Sequence, residues 1–204
     1  MGQSGPGPVI GQAPGDLAWL QAFVNTLDLE QGTDDLATPA ALAAWVRRAG
    51  LTEPADPAGP ADPADLALAA ALREALRGVL RSHVTHRSAS SRVVAPHAPG
   101  TDPAARLTEI AAGLRARITA DASGAVRLQP GDSGCRAALA RLLLIAAEAA
   151  TLGTWNRLKV CSADDCQWAF YDRSPTRSGC WCSMQVCGSR AKSRAYRSRQ
   201  ARAG

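Results

Sequence analysis

Two equal pairs of cysteines, Cys161-x4-Cys166 and Cys182-x4-Cys187, stand fifteen residues apart in the last quarter of the chain. Two short-spaced pairs let two tight turns each deliver two sulfurs at small loop-closure cost, and four thiolates close the tetrahedron that structural zinc prefers. We therefore assign Cys161, Cys166, Cys182 and Cys187 as ligands of one structural Zn2+. Five of the six cysteines lie between Cys161 and Arg202. Cys180 breaks the spacing and is read as a free or redox-sensitive thiol. Cys135, at the start of an apolar helix, reads as a small buried residue. Disulfide pairing is the alternative for the cluster. It is disfavoured because the N-terminus lacks the basic segment and long apolar core that mark export, so the thiols are expected in a reducing compartment, with the cytoplasm as default.

The formal net charge of +5 is unevenly spread. From Gly153 to Gly204 ten Lys or Arg face three Asp, whereas the preceding 152 residues hold thirteen basic and fifteen acidic side chains. Four thiolates on one zinc remove about two charges from the C-terminal excess. What remains favours a polyanion, nucleic acid ahead of an anionic membrane surface. Apolar runs such as Leu66 to Leu72 are far shorter than the roughly 20 residues a bilayer needs, so no membrane role is expected. Beyond Cys187 the sequence GSRAKSRAYRSRQARAG has six basic residues and no acidic one. On a helix, Arg190, Arg194 and Arg197 share one face and Lys192 and Arg199 the opposite one, with no apolar stripe between them. Such a helix suits phosphates rather than a lipid surface. With Arg173 and Arg177 from between the cysteine pairs, these are the candidate contacts to double-stranded DNA.

The rest of the chain reads as α+β: a mainly helical N-terminal domain with a β-hairpin, followed by the small four-cysteine zinc finger ending in its basic helix. Residues 1–15, rich in Gly, Pro and Gln, are expected to be disordered. Residues 16–153 form the helical domain. Asp16 is expected to cap a first helix carrying Leu17, Leu20 and Val24, and DLEQGTDD follows as a polar loop. Thr38-Pro39 opens a second helix that Gly50 ends, and residues 52–64, with four prolines, make a spacer. Asp62-Pro63 opens a third helix to about His86. His83 and His86 read as surface histidines at its end, with a metal pair as the minor reading. Residues 87–102 read as a loop, and Asp102-Pro103 opens a fourth helix. Alternation from Leu114 to Leu128 predicts a hairpin turning at Asp121 to Gly124. Ser133 is expected to cap a fifth helix ending near Gly153.

Residues 154–204 make the zinc module. Trp168, Phe170 and Asp172 alternate with Ala169 and Tyr171, which predicts a strand whose aromatic side covers the metal. About forty residues cannot bury an adequate core unaided, so zinc is expected to supply the missing folding energy.

These residues resemble the CGNR zinc finger family. The resemblance rests on Trp181-Cys182-Ser183-Met184, on Cys187-Gly188-Ser189-Arg190 followed by Lys192, and on Leu158 to Ser174. The N-terminal part is similar to the ABATE domain through Phe23-Val-Asn-Thr26, Leu36-Ala-Thr-Pro39 and Leu42-Ala-Ala-Trp45. Three positions depart from the pattern: Ser189 stands where the motif has Asn, Cys180 where a basic residue is expected, and Ala22 where an acidic one is expected. The resemblance implies a stress-induced, DNA-binding transcription regulator with a sensor-like N-terminal domain.

That agrees with the reading from charge, and the helical domain is then expected to form a homodimer, bind a small-molecule effector, or both. Two other readings stay open. The finger could bind RNA or protein, with Trp168, Tyr171 and Trp181 as stacking platforms. It could also be a thiol and zinc redox sensor built on Cys180. An enzyme is not expected, because catalytic zinc keeps an open position and usually a His or carboxylate ligand.

Overall fold

Helix starts follow the caps written in the sequence. In the computed structural model, which describes residues 11–52, 59–84 and 102–203, Thr38 accepts a hydrogen bond from the Ala41 N–H (3.1 Å) ahead of α2 (Pro39–Ala49). Asp62 and Asp65 each accept from the other's backbone N–H at the start of α3 (Pro63–Ser82), the reciprocal box that anchors a helix N-terminus. Asp102 caps α4 (Pro103–Ala112). Two expected caps are absent. Asp16 makes no capping bond ahead of α1 (Leu17–Val24), its backbone being helical (φ −63°, ψ −24°) where a capping residue is extended, and its carboxylate accepts from Arg141 of α5 (Gly134–Thr151) at 3.1 Å. Ser133 makes no side-chain cap ahead of α5. The expected disorder of residues 1–10, the middle of the proline spacer (53–58), and the loop at 85–101 with His86 all fall outside the described residues.

Helices α1, α2, α3 and α5 share one apolar core. Leu20, Phe23, Val24, Leu42, Leu72, Leu76, Leu80, Leu139 and Leu142 are fully enclosed in it, each such side chain contributing about 1.5–3 kcal/mol. The segment expected to be a polar loop after α1 is a tight hairpin, β1 (Leu27–Asp28) with β2 (Thr33–Asp34). Two arginines of α3, buried despite their charge, hold it. Arg73 donates to both oxygens of Asp34 (2.7 Å each) and to Thr26 Oγ1 (3.0 Å). Arg77 donates to the carbonyls of Val24 and Leu27. The Arg73 hydrogen bonds hold the Asp34 carboxyl below its ordinary pKa.

The second hairpin, β3 (Ala116–Ala120) with β4 (Val126–Pro130), has the expected turn and pairs Ile118 with Leu128. Its apolar face is not covered: Ile118 is 74% and Val126 69% exposed. Alternation reports two faces but not what lies against them.

The third pair, β5 (Leu158–Val160) with β6 (Ala169–Tyr171), frames the cysteines. Leu158, Val160, Ala169 and Tyr171 belong to the same core as the helices. Polar contacts reinforce the join. Asn25 of α1 accepts from the Ala169 N–H (2.7 Å) and donates to its carbonyl (2.9 Å), and Gln21 donates to that carbonyl as well (3.1 Å). Residues 11–13, expected to be disordered, lie here too. The Gly11 carbonyl accepts from the Tyr171 N–H at 2.5 Å, and the Ala13 N–H donates to Gln21 Oε1 at 2.7 Å. These backbone groups, each given a partner, are what order the segment. His83 is half-buried rather than at the surface. Its Nδ1 lies 2.8 Å from the Leu158 carbonyl and its ring stands edge-on to Trp155, and burial lowers its pKa. Among the described residues no helix is long and apolar enough to cross a membrane.

Because Asn25 serves both backbone groups of Ala169, Asn25→Ala should lower stability by about 1–3 kcal/mol, read as a lower denaturant midpoint. An unchanged midpoint would show that α1 does not hold the hairpin.

Candidate functional site

The first cysteine pair sits on a turn that β5 and β6 hold open at its base. The Cys161 N–H donates to the Trp168 carbonyl (2.9 Å), while Cys166 and Gln167 both donate to the Ala163 carbonyl (3.0 Å each). Gln167 takes φ +50°, a left-handed conformation unfavourable for a residue with a Cβ. The second pair is brought alongside by Ser162, whose N–H donates to the Cys180 carbonyl at 2.9 Å. Cys187 then arrives on one wide helical turn of π type, Met184–Gly188, which Ser183 caps by accepting from the Val186 N–H.

The result is a set of four sulfurs, Cys161, Cys166, Cys182 and Cys187, all within 4.8 Å of one another. Cys166 and Cys182 are 3.6 Å apart and Cys182 and Cys187 3.7 Å. Tetrahedral zinc with Zn–S near 2.3 Å requires sulfur separations of about 3.8 Å, whereas a disulfide requires about 2.05 Å. The donor set therefore fits one zinc ion and not cystines. Hydrogen bonds from Cys166 and Cys182 lower the Cys161 pKa. The bond to Cys161 pushes the Cys182 pKa up, and burial pushes Cys187 up to about 12. A divalent cation among them would let all four ionise. Cys180 stays outside the cluster, half-buried, with its thiol pKa raised by burial. Trp168 and Trp181 pack against the sulfurs. Of the strand side expected to cover the metal, only Trp168, just ahead of β6, is among the residues packed on the cluster, and Asp172 turns to Lys159 instead. Tyr171 is buried and the two tryptophans are half-buried.

Comparison with known families now agrees with the geometry. Residues 157–200 match the CGNR zinc finger, and residues 17–154 match the ABATE family, described as "Putative stress-induced transcription regulator". The chain belongs to the ABATE family. A search of curated proteins finds no match. Family and sulfur geometry together make it a regulatory protein that binds one structural zinc.

Within residues 157–200 the finger is braced by an interaction that the cysteine and charge patterns do not reveal. Lys159 is 1% and Asp172 5% exposed. The Lys159 ammonium donates to Asp172 Oδ2 (2.8 Å), to the Arg177 carbonyl (2.5 Å) and to the Gly179 carbonyl (3.1 Å). Asp172 accepts in addition from the N–H groups of Ser174 and Gly179. A Cβ at Gly179 would stand 2.9 Å from the Asp172 carboxyl carbon, so glycine permits the approach. This buried pair folds the loop that leads from β6 to the second cysteines. Burial raises the Asp172 pKa, but the bonds from Lys159, Ser174 and Gly179 outweigh it and hold the group at about 2. The nearest sequence signal is the alternation that placed Asp172 on a strand. It gave no hint of a partner thirteen residues away.

The basic residues of the finger divide into two kinds. Helix α6 (Ser189–Ala203) begins directly after the zinc turn, and Ser189, where the family motif has Asn, donates its hydroxyl to the Met184 carbonyl at 3.2 Å. Three candidate cations are engaged within the chain: Arg173 with the Gln12 carbonyl and the Tyr171 ring, Arg190 with Glu30 at 2.7 Å, and Arg194 with Asp165 at 3.4 Å. Arg177, Lys192, Arg197 and Arg199 are exposed, with no ion pair among the described residues.

Two outcomes follow. Purified protein should hold one zinc per chain by elemental analysis, retained in Cys180→Ser and lost in Cys182→Ser. Zinc affinity should fall as pH falls, since each ligand must release its proton to bind. For the buried pair, Asp172→Asn should cost about 3–5 kcal/mol by leaving Lys159 unpaired. The wild-type contribution should be complete above an ordinary aspartate pKa of about 3.9 and vanish as pH falls through about 2, which denaturation across that range would show.

Proposed function

We propose that the protein is a DNA-binding transcription regulator in which zinc fixes the start of α6 and α6 supplies cations to duplex phosphates. The observation that carries this reading is α6 itself. It holds six basic residues and no acidic one, leaves the body directly from the zinc turn, and exposes its charged side chains from Arg190 to Arg199. A helix with no apolar stripe gains nothing from a core or a lipid surface. It does gain from releasing the counterions of a polyanion. Lys192, Arg197 and Arg199 are free for this, while Arg190 and Arg194 would have to exchange Glu30 and Asp165 for phosphate. The zinc is structural and the protein is not an enzyme, because four thiolates leave the metal no open position. The ABATE domain conveys the signal, a stress cue or small molecule, through its shared core with β5 and β6.

Two observations weigh against the other readings. Stacking of single-stranded RNA needs exposed rings, and Tyr171 is buried while Trp168 and Trp181 face the sulfurs. A redox switch needs a reactive thiolate, and Cys180 is half-buried with its pKa raised.

Duplex affinity should fall linearly with the logarithm of salt concentration. Arg197→Gln should reduce the slope by about 0.9 and weaken binding similarly across sequences. Fluorescence anisotropy over a salt series measures both, and a salt-independent affinity would overturn the reading.

A further inference from the structure

A cavity of about 310 Å3 lies where the helical domain meets the finger, at the lower end of the size range of small-molecule sites. Trp19 and Ala22 of α1, Trp45 and Arg48 of α2, Asp35 and Trp168 line it. Three indoles around one small space are a strong provision for a flat aromatic ring. Two opposite charges accompany them. Asp35 and Arg48 are both exposed, and among the described residues neither side chain has a hydrogen bond or ion pair, to the other or to any group. The wall contributed by the finger is Trp168, which also packs on the cysteine cluster and whose carbonyl receives the Cys161 N–H at 2.9 Å.

We propose that this cavity is an effector site for a small aromatic zwitterion, a molecule with the size and charge pattern of an aromatic amino acid. Its ring lies among Trp19, Trp45 and Trp168, its carboxylate meets Arg48 and its ammonium meets Asp35. Charge-assisted bonds at both ends would set orientation, and the ring would supply most of the buried area. Occupancy presses on Trp168 and so reaches the zinc turn directly. The inference deepens the regulatory reading by giving the signal a place to bind. Binding is measurable without nucleic acid, so failure of the site and failure of DNA binding are separate results.

The test is calorimetric titration of the zinc-loaded full chain with L-tryptophan, L-tyrosine, indole-3-acetate and tryptamine. The two amino acids should bind with one site per chain, and the probes carrying a single charge should bind at least about tenfold more weakly. Arg48→Gln and Asp35→Asn should each weaken L-tryptophan by about tenfold or more. Ala22→Leu, which fills the space without touching a charge, should do the same. The ranking of probes on the wild type stands whether or not any variant folds. Saturation with L-tryptophan should also slow the withdrawal of zinc by a chelator, and less so in Trp168→Phe. No heat from any probe at millimolar concentration, a single-charge probe as tight as tryptophan, or unchanged affinity in both Arg48→Gln and Ala22→Leu would overturn the site. An unchanged rate of zinc withdrawal would overturn its role as an effector.

Discussion

A stretch of about forty residues with five cysteines and little apolar surface has to be closed at both ends to hold a shape. Zinc closes one end, joining Cys161 and Cys166 to Cys182 and Cys187. The helical domain closes the other. Asn25 and Gln21 take up both backbone groups of Ala169, and Leu158, Val160 and Tyr171 sink their side chains into the core of α1, α3 and α5. The β5–β6 pair is therefore a shared element, its base in the ABATE core and its tip at the metal. Everything proposed for function depends on this arrangement. It aims α6 from a fixed point, and it gives a ligand between α1, α2 and Trp168 a short path to the zinc.

Buried charge gives the arrangement its specificity. Arg73, Arg77, Lys159 and Asp172 are all taken from water, at a desolvation cost that hydrogen bonds must offset. Lys159 does so with three acceptors and Arg73 with a two-pronged grip on Asp34, while the Nε atoms of Arg73 and Arg77 are buried with no hydrogen-bond partner among the described residues. Each fixes the path of a segment with little apolar content: the turn after α1 in one case, the loop between the cysteine pairs in the other. Counted as net charge in the sequence, the same residues suggest only solvated surface. That explains why fewer cations face solvent than the C-terminal tally implies, and why α6, with no acidic residue of its own, carries most of them.

What the sequence made legible was local. Cysteine spacing, the caps at Thr38, Asp62 and Asp102, and the turn at Asp121 to Gly124 act over a few residues, and each stands in the structure where its chemistry placed it. The α+β class, the four-sulfur site and the terminal helix followed from these. The misses are contacts across long separations. Asn25 reaches Ala169 144 positions away, and His83 reaches Leu158 75 positions away. Residues 11–13 are ordered by β6, which composition near the N-terminus cannot report. The β3–β4 hairpin shows the complementary limit: its period was readable, but whether anything covers Ile118 and Val126 was not.

The shared hairpin can be tested by amide hydrogen exchange on the full chain with and without a zinc chelator. Removing zinc should expose the amides from Met184 through α6 and those around Cys166 to rapid exchange, while Ala169, Tyr171 and Leu158 keep protection close to that of α1 and α3. Loss of protection at β5 and β6 together with the cysteine turns, with the helices unaffected, would contradict the account. The finger would then fold on zinc alone, with the helical domain as a neighbour rather than its foundation.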